Sequence, residues 1–298
     1  MKAPIALFVY NRPAHSRATL EALQKNEFAG ESDLLVFADG PRAGRDEPEV
    51  NEVRRYLARI SGFKSIRIVP RETNLGLAAS IIAGVTEVCG EYGKVIVLED
   101  DLVTSPFFLR YMNDALDIYQ NDAAVGSIHG YWYPTCSVLP ETFFLRGASC
   151  WGWATWSRAW KMFEPDGRKL LAVLRTKNLA SQFDLDGAIS YSRMLVDQIN
   201  GRNDSWAIRW HAASFIANLL QLSPRNSLVL NVGFDGTGTH SSISNAYKVE
   251  LASKAIQVDR IPLLECIEAR QALIHYYRST KRTIGVRVLG KLRRIIGL

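Results

Sequence analysis

The chain has 298 residues, 47% of them hydrophobic and 22% charged, with a net charge of +6. That is enough apolar material to bury a large core as one decorated α/β domain or two small ones, and one catalytic domain is the expectation. The basic excess does not point to nucleic acid, because it is confined to the C-terminal end and comes without interleaved aromatic residues or a recognition motif. After Glu268 there is no acidic residue, while Arg270, Arg278, Lys281, Arg282, Arg287, Lys291, Arg293 and Arg294 supply eight of the 36 basic groups, so the rest holds 28 basic against 30 acidic side chains. Cys89, Cys136, Cys150 and Cys266 are widely spaced and form no CxxC pair, which predicts reduced thiols and an intracellular setting. The first apolar run, Pro4 to Tyr10, is too short for a signal peptide or a membrane span and stops at Asn11-Arg12-Pro13.

In chain order, the first half alternates apolar runs with helix-like segments, the habit of a parallel sheet covered by helices. Strands are predicted at Ile5–Tyr10, Leu34–Ala38, Ser65–Val69 and Val95–Leu98, rich in β-branched and large apolar residues as fully buried strands are. Helices are predicted between them at about Ala14–Lys25, Asp46–Ile60 and Ala78–Glu91. Pro13 suits a first helical turn, and Asp46-Glu47-Pro48-Glu49 places acids at the positive end of a helix. Beyond Asp101 the alternation ends. A helix is predicted at about Pro106–Tyr119, a strand at Val125–His129, an aromatic stretch from Tyr131 to Trp160, helices at Ser190–Gly201 and Trp206–Leu220, and a short strand at Leu228–Val232. In the tail, Ile284, Val288, Leu292 and Ile295 recur at helical spacing beside Arg287, Lys291 and Arg294. Such a segment either lies in an anionic membrane interface or docks on its own domain.

The chemistry concentrates at Lys94-Val-Ile-Val-Leu-Glu-Asp-Asp101, an apolar strand that ends in three carboxylates. Three adjacent negative charges at the carboxyl edge of a sheet need compensation, and a divalent cation with oxygen ligands, Mn²⁺ or Mg²⁺, supplies it while bridging the phosphates of a nucleotide. Tyr10-Asn11-Arg12 at the tip of the first strand and Asp39-Gly40 at the tip of the second are expected to face the same crevice, where α/β sheets bind ligands.

With these tips in place, the sequence resembles the GT-A class of nucleotide-sugar glycosyltransferases, a mostly parallel Rossmann-like sheet flanked by helices. The resemblance implies that Asp39 holds the uracil imide, although Ala-Asp-Gly on its own is also an ordinary turn. Arg71-Glu-Thr-Asn-Leu-Gly76 is similar to the segment that bounds the nucleotide pocket in bacterial family two transferases, which makes Arg71, Asn74 and Gly76 donor-site candidates; the same residues also make a plain strand-to-helix loop.

Ser149-Cys-Trp-Gly-Trp-Ala-Thr-Trp-Ser-Arg-Ala-Trp160 carries four of the seven tryptophans, rings that either stack on sugar faces or fill a core. Together with the acidic triplet this block resembles the family of the eukaryotic N-acetylglucosaminyltransferase that starts complex N-glycans, a manganese-dependent inverting GT-A enzyme. By that resemblance Asp101 ligates the metal, Glu99 and Asp100 contact ribose and sugar, Tyr10, Asn11 and Arg12 line the donor site, and Trp151, Trp153 and Trp206 face the acceptor. Asp204 is then the catalytic base that takes the acceptor proton; its position before a helix also fits a helix cap. Asn203 and Ser205 depart from that family's pattern. His240, in the glycine-rich Gly233–Ser241 stretch, is expected to contact the diphosphate or complete the metal shell.

The implied organisation is a catalytic domain over residues 1–245, with its donor half at about 1–130 and its acceptor half at 131–245, followed by a basic helical extension at 246–298. The implied function is inverting, metal-dependent transfer from a UDP-linked donor, such as UDP-N-acetylglucosamine, to a surface-glycan or lipid-linked acceptor. The site would be cytoplasmic, on the inner face of a bacterial membrane. A sugar-nucleotide pyrophosphorylase is the alternative enzyme, but Asn11-Arg-Pro-Ala-His is not the glycine-rich basic loop that it needs. A non-catalytic nucleotide-sugar-binding protein is the other alternative.

Overall fold

The protein was analysed as a computed structural model, which describes residues 1–42, 44–236 and 245–280. His240 and the basic segment 281–298 lie outside the described residues.

The first half is built as its alternation predicts. Strands β1 (Ile5–Val9), β2 (Asp33–Ala38), β3 (Ser65–Pro70) and β4 (Lys94–Glu99) alternate with helices α1 (Pro13–Gln24), α2 (Glu47–Leu57) and α3 (Leu77–Tyr92). Pro13 opens α1, and Glu47 and Glu49 occupy the first turn of α2, where their charge meets the helix dipole. All four strands run parallel, in the spatial order β3-β2-β1-β4. β3 is not fully buried as expected: it is the sheet's edge strand, and its outward Arg67 pairs with Glu87 and Glu91 of α3. Apolar residues on an edge strand read like those of a central one until the partners are known.

The second half extends the same sheet. After β5 (Leu102–Thr104) and α4 (Phe108–Ile118) come β6 (Val125–His129), β7 (Thr142–Arg146), β8 (Trp153–Trp156), α5 (Ser157–Trp160), α6 (Gly167–Thr176), α7 (Ala180–Phe183), α8 (Tyr191–Ile199), α9 (Trp206–Ile216), β9 (Leu220–Pro224) and β10 (Val229–Asn231). The eight-stranded order is β3-β2-β1-β4-β8-β6-β9-β7, with β8 and β7 antiparallel to their neighbours. The sheet is therefore mixed α/β and mostly parallel, the GT-A arrangement. The helix expected at Trp206–Leu220 ends at Ile216, and Leu220 instead begins β9. Asn218 adopts the left-handed conformation (φ 57°) at that reversal.

Alternate residues of the strands feed two cores. Leu7, Val36, Ile96 and Leu98 face α1, α2 and α4, while Ala6, Phe8, Phe37 and Val97 face α3 and α9. Residues 245–265 add Ala252, Ile256 and Val258 to the first core. Helix α10 (residues 267–280) buries Ala269, Leu273 and Tyr277 against Trp132, Phe143 and Leu145. None of the described helices is long and apolar enough to cross a membrane.

Phe8 and Phe37 stack at 5.0 Å beneath Gly84 of α3. A Cβ at Gly84 would stand 2.7 Å from the Phe8 ring and 3.1 Å from that of Phe37. Gly84→Ala is therefore expected to lower stability by about 1–3 kcal/mol through overpacking, read as a lower midpoint in thermal or urea unfolding.

Candidate active site

The carboxyl ends of β1, β2 and β4 open into one crevice of about 340 Å³. Its walls bring together Tyr10, Asn11, Arg12, Asp39, Asn74, Gly76, Glu99, Asp100, Asp101 and Trp151. Arg42, Ser80, Asn231, Gly233 and Phe234 complete them.

Arg12 is the centre of the charge arrangement. Its Nη2 lies 2.5 Å from Asp100 Oδ1 and 2.7 Å from Asp101 Oδ2, so one guanidinium bridges two adjacent carboxylates. Its Nη1 is buried without a hydrogen-bond partner among the described residues. The triplet is also fixed from behind, since Thr19 Oγ1 of α1 donates to the Asp100 carbonyl at 2.8 Å. One arginine does not neutralise three acids. Burial, reinforced by Asp101 and Asp100 and opposed by Arg12, raises Glu99 well above the ordinary glutamate range. Burial also raises Asp100, although Arg12 pulls it back.

The opposite wall is a brace between two loops. Asp39 Oδ1 accepts from the backbone of Gly40 and, at 2.9 Å, of Leu75; Oδ2 accepts from Gly76 at 3.0 Å. Asn74 Nδ2 returns a hydrogen bond to the Gly40 carbonyl. The loops approach so closely that a Cβ at Gly40 would lie 2.5 Å from the Thr73 carbonyl carbon. Gly76 caps α3 at φ 78°, a backbone glycine adopts freely. Tyr10 donates to Asp46 at 2.7 Å, and Arg42 approaches its ring at 5.8 Å. Arg42 had no sequence signal, because its place depends on how the Asp39-Gly40 turn is held.

The third wall comes from far along the chain. β10 pairs antiparallel with β5, and Val232 donates to the Asp101 carbonyl at 2.9 Å. This lays Gly233 against the triplet, where a Cβ would stand 2.2 Å from Asp101 Oδ2. Phe234 then packs 5.5 Å from the Trp151 ring, and Asp235 pairs with His15 at 3.1 Å.

Several expected site residues lie elsewhere. Trp153 and Trp206 do not face an acceptor: both are buried and stack on each other at 5.4 Å beside Trp160 and Trp210. The reason is that β8 lies between β4 and β6, so this aromatic block is a central strand with both faces covered. Only Trp151, ahead of the left-handed Gly152 (φ 64°), reaches the crevice. Arg71 stays outside the walls, its guanidinium 6.0 Å from the Phe37 ring. Asp204 is not brought to the crevice either. Its side chain is 72% exposed and 3.4 Å from Arg209. It is not the helix cap, since Ser205 caps α9 by accepting from Ile208.

Residues 5–139 match the model of glycosyl transferase family 2. The match agrees with the resemblance of the sequence to family two transferases of the GT-A class and covers somewhat less than half of the chain. The match spans the crevice's first two walls and the strands that carry them. No curated protein matches the chain. Among solved structures, S. aureus TarS 1–349 in complex with UDP is 13% identical over 60% of this chain and 49% of that one, with a TM-score of 0.37. The longer S. aureus TarS is 16% identical over 50% and 25%, at a TM-score of 0.33. The mannosyltransferase PcManGT from Pyrobaculum calidifontis, in complex with GDP-Man and Mn2+, is 13% identical over 43% and 35%, at 0.32. The chain thus spans less than half the length of each.

Glu99 gives a test of the charge arrangement. Because its folded pKa is raised above the usual 4.5, the folded state binds more protons than the unfolded one above that pH. Stability is then lost as pH rises from about 4.5 through the raised value. Glu99→Gln should raise the melting temperature at pH 7, with the gain shrinking toward pH 4. A gain that is equal at both pH values would show that Glu99 carries no such cost.

Proposed function

We propose that this protein is an inverting, metal-dependent glycosyltransferase that moves a sugar from a UDP-linked donor to a cell-surface glycan or lipid-linked acceptor. The observation that carries the reading is the bridge of Arg12 to Asp100 and Asp101, with a spare Nη1 donor, in a crevice floored by three carboxylates. That combination suits an anion that arrives with a divalent cation.

Among the described residues, no group of three or more acid, histidine or cysteine side chains is placed to enclose a metal ion. A closed cage is not what Mg²⁺ or Mn²⁺ needs beside a nucleotide, where one or two carboxylates and the substrate phosphates suffice. Asp101 fits that role: it lines the crevice, and its carboxylate faces the space that Gly233 leaves open. When bound, the cation would offset charge developing on the leaving diphosphate.

The chain's own residues account for the rest of the reaction. Arg12 Nη1 is placed to donate to a donor phosphate oxygen, while Nη2 restrains the acids that would otherwise repel it. A carboxylate offers about four lone-pair sites. Asp39 spends three on Gly40, Leu75 and Gly76, which leaves one on Oδ2 for a base N–H such as the uracil imide. Glu99 and Asp100 would meet ribose and sugar hydroxyls. As the acceptor hydroxyl attacks the anomeric carbon and the bond to the diphosphate breaks, a carboxylate must take the hydroxyl proton. Asp204, which lies outside the crevice walls, is proposed as the base on the sequence resemblance alone. The basic segment beyond residue 280 is proposed to hold the enzyme on the cytoplasmic face of an anionic membrane.

Release of nucleoside diphosphate from UDP-, GDP- and dTDP-sugars, with Mn²⁺ and with EDTA, tests this reading. UDP-sugar turnover is expected with Mn²⁺ and not with EDTA, and Asp101→Asn should lose at least about 100-fold of it. Full turnover in EDTA would remove the metal role. Asp204→Asn should cut transfer by about 10²–10⁴-fold while nucleotide binding by calorimetry stays near wild type; unchanged transfer would place the base elsewhere.

A further inference from the structure

A second cavity, of about 430 Å³, lies between the β6–β9–β7 end of the sheet, helices α7 to α9 and the start of α10. It shares no lining residue with the donor crevice, yet the two meet across three residues, since Ser149 lines one and Trp151 the other. Its floor is unusual for a buried sheet face. Ser127 pairs in register with Gln221 on the neighbouring strand, and Gln221 with Leu145 on the next. By the alternation of a strand, His129 and Ser223 share that face. All four polar side chains are more than nine-tenths buried. Ser127 Oγ, His129 Nε2, Gln221 Oε1 and Ser223 Oγ have no hydrogen-bond partner among the described residues. On the opposite face of the same strands, Ile128, Leu222 and Phe144 are packed in the main core, so the polar row belongs to the cavity side alone.

Buried polar atoms left unpaired are costly, and four on one face indicate that something else satisfies them. His129 and Gln221 line the cavity itself. Around them stand aromatic surfaces, Phe183 and Tyr191, with His211 packed against both at 5.1 and 4.7 Å. The wall charges are matched in number rather than all paired: Arg270 pairs with Asp186 at 2.9 Å, while the Arg146 guanidinium donates to the Phe215 carbonyl and to Gln182 Oε1, and Glu265 accepts from the backbone of Arg146. Burial keeps His129 neutral down to a pKa of about 3, so the floor carries no charge.

We infer that this cavity is a binding site for an uncharged carbohydrate: aromatic faces for the apolar side of a pyranose ring, and His129 with Gln221 for its hydroxyls. The volume falls in the range of small-ligand sites. A phosphate or carboxylate ligand suits it less, because Arg146 and Arg270 are matched in number by Asp186 and Glu265 and the Arg146 guanidinium is already engaged by the Phe215 carbonyl and Gln182. The carbohydrate is the acceptor if the proposed function holds; only that role, and not the binding itself, rests on the glycosyl-transfer reading. The segment Ser149-Cys150-Trp151 then separates acceptor from donor.

The test uses the full chain and a panel of methyl glycosides of glucose, galactose, mannose and N-acetylglucosamine, observed by saturation-transfer NMR with and without excess UDP. At least one glycoside should bind and remain bound when UDP is added, and Gln221→Leu and His129→Leu should each weaken it about tenfold or more. Glucose 6-phosphate should bind more weakly than the neutral sugars. The proposal is overturned if no glycoside binds, if UDP displaces it, if the phosphorylated sugar binds as well, or if both variants, folded by their melting curves, bind as wild type does. If a variant fails to fold, the UDP and phosphate arms still decide. Calorimetry of UDP alone reads the donor site separately, so loss of nucleotide binding and loss of glycoside binding are distinct failures.

Discussion

The geometry of the crevice depends on one guanidinium. Three consecutive carboxylates at the end of β4 repel one another, and Arg12, delivered from the tip of the adjacent strand β1, holds Asp100 and Asp101 together at hydrogen-bond distance. Only parallel neighbouring strands bring these tips to a single edge, so the pairing of β1 with β4 is a condition for the chemistry as well as for the core. The compensation is incomplete, and the raised Glu99 records the remainder. A site with unrelieved negative charge and an unpaired arginine nitrogen has a place for a cation and for an anion at once, and the proposed binding of a metal-bound diphosphate rests on that combination.

The other walls follow from how this edge is closed. Asp39 and Asn74 tie the β2 and β3 tips to each other through backbone groups, so the loop that begins α3 is held before any ligand arrives. The β5–β10 ribbon does the same on the far side, carrying Gly233 to Asp101. Preorganisation of this kind lowers the ordering cost that binding would otherwise carry.

The first half of the chain was legible in the sequence because it obeys local rules. Apolar strands ending in polar tips, Pro13 at a helix start and the acids of α2 each have a physical meaning within a few residues. The second half was not, because its elements take their character from neighbours distant in the chain. Trp153 and Trp206 read as sugar-stacking rings until β8 is seen to lie in the middle of the sheet. β9 was hidden within an apolar run continuous with α9, and the left-handed Asn218 that separates them gives only a weak signal. Asp204 stood in a plausible order of motifs, yet order fixes no distance, and the fold leaves it exposed beside Arg209. The polar row of Ser127, His129, Gln221 and Ser223 is invisible to any reading of one segment, since it exists only where β6 and β9 lie side by side.

The insertion of β8 between β4 and β6 also bears on how the protein can be divided. The family match ends at residue 139, but β8 begins at Trp153 and is the hydrogen-bonded neighbour of both strands. A fragment cut at the end of the match would bare one edge of β4, leave β6 without either of its neighbours, and strip Trp153 and Trp210 from the core around Val95 and Val97. Such edges recruit other chains. The portion that carries the family's signature is thus not a module that can be lifted out: its cohesion is completed by residues that the signature does not include.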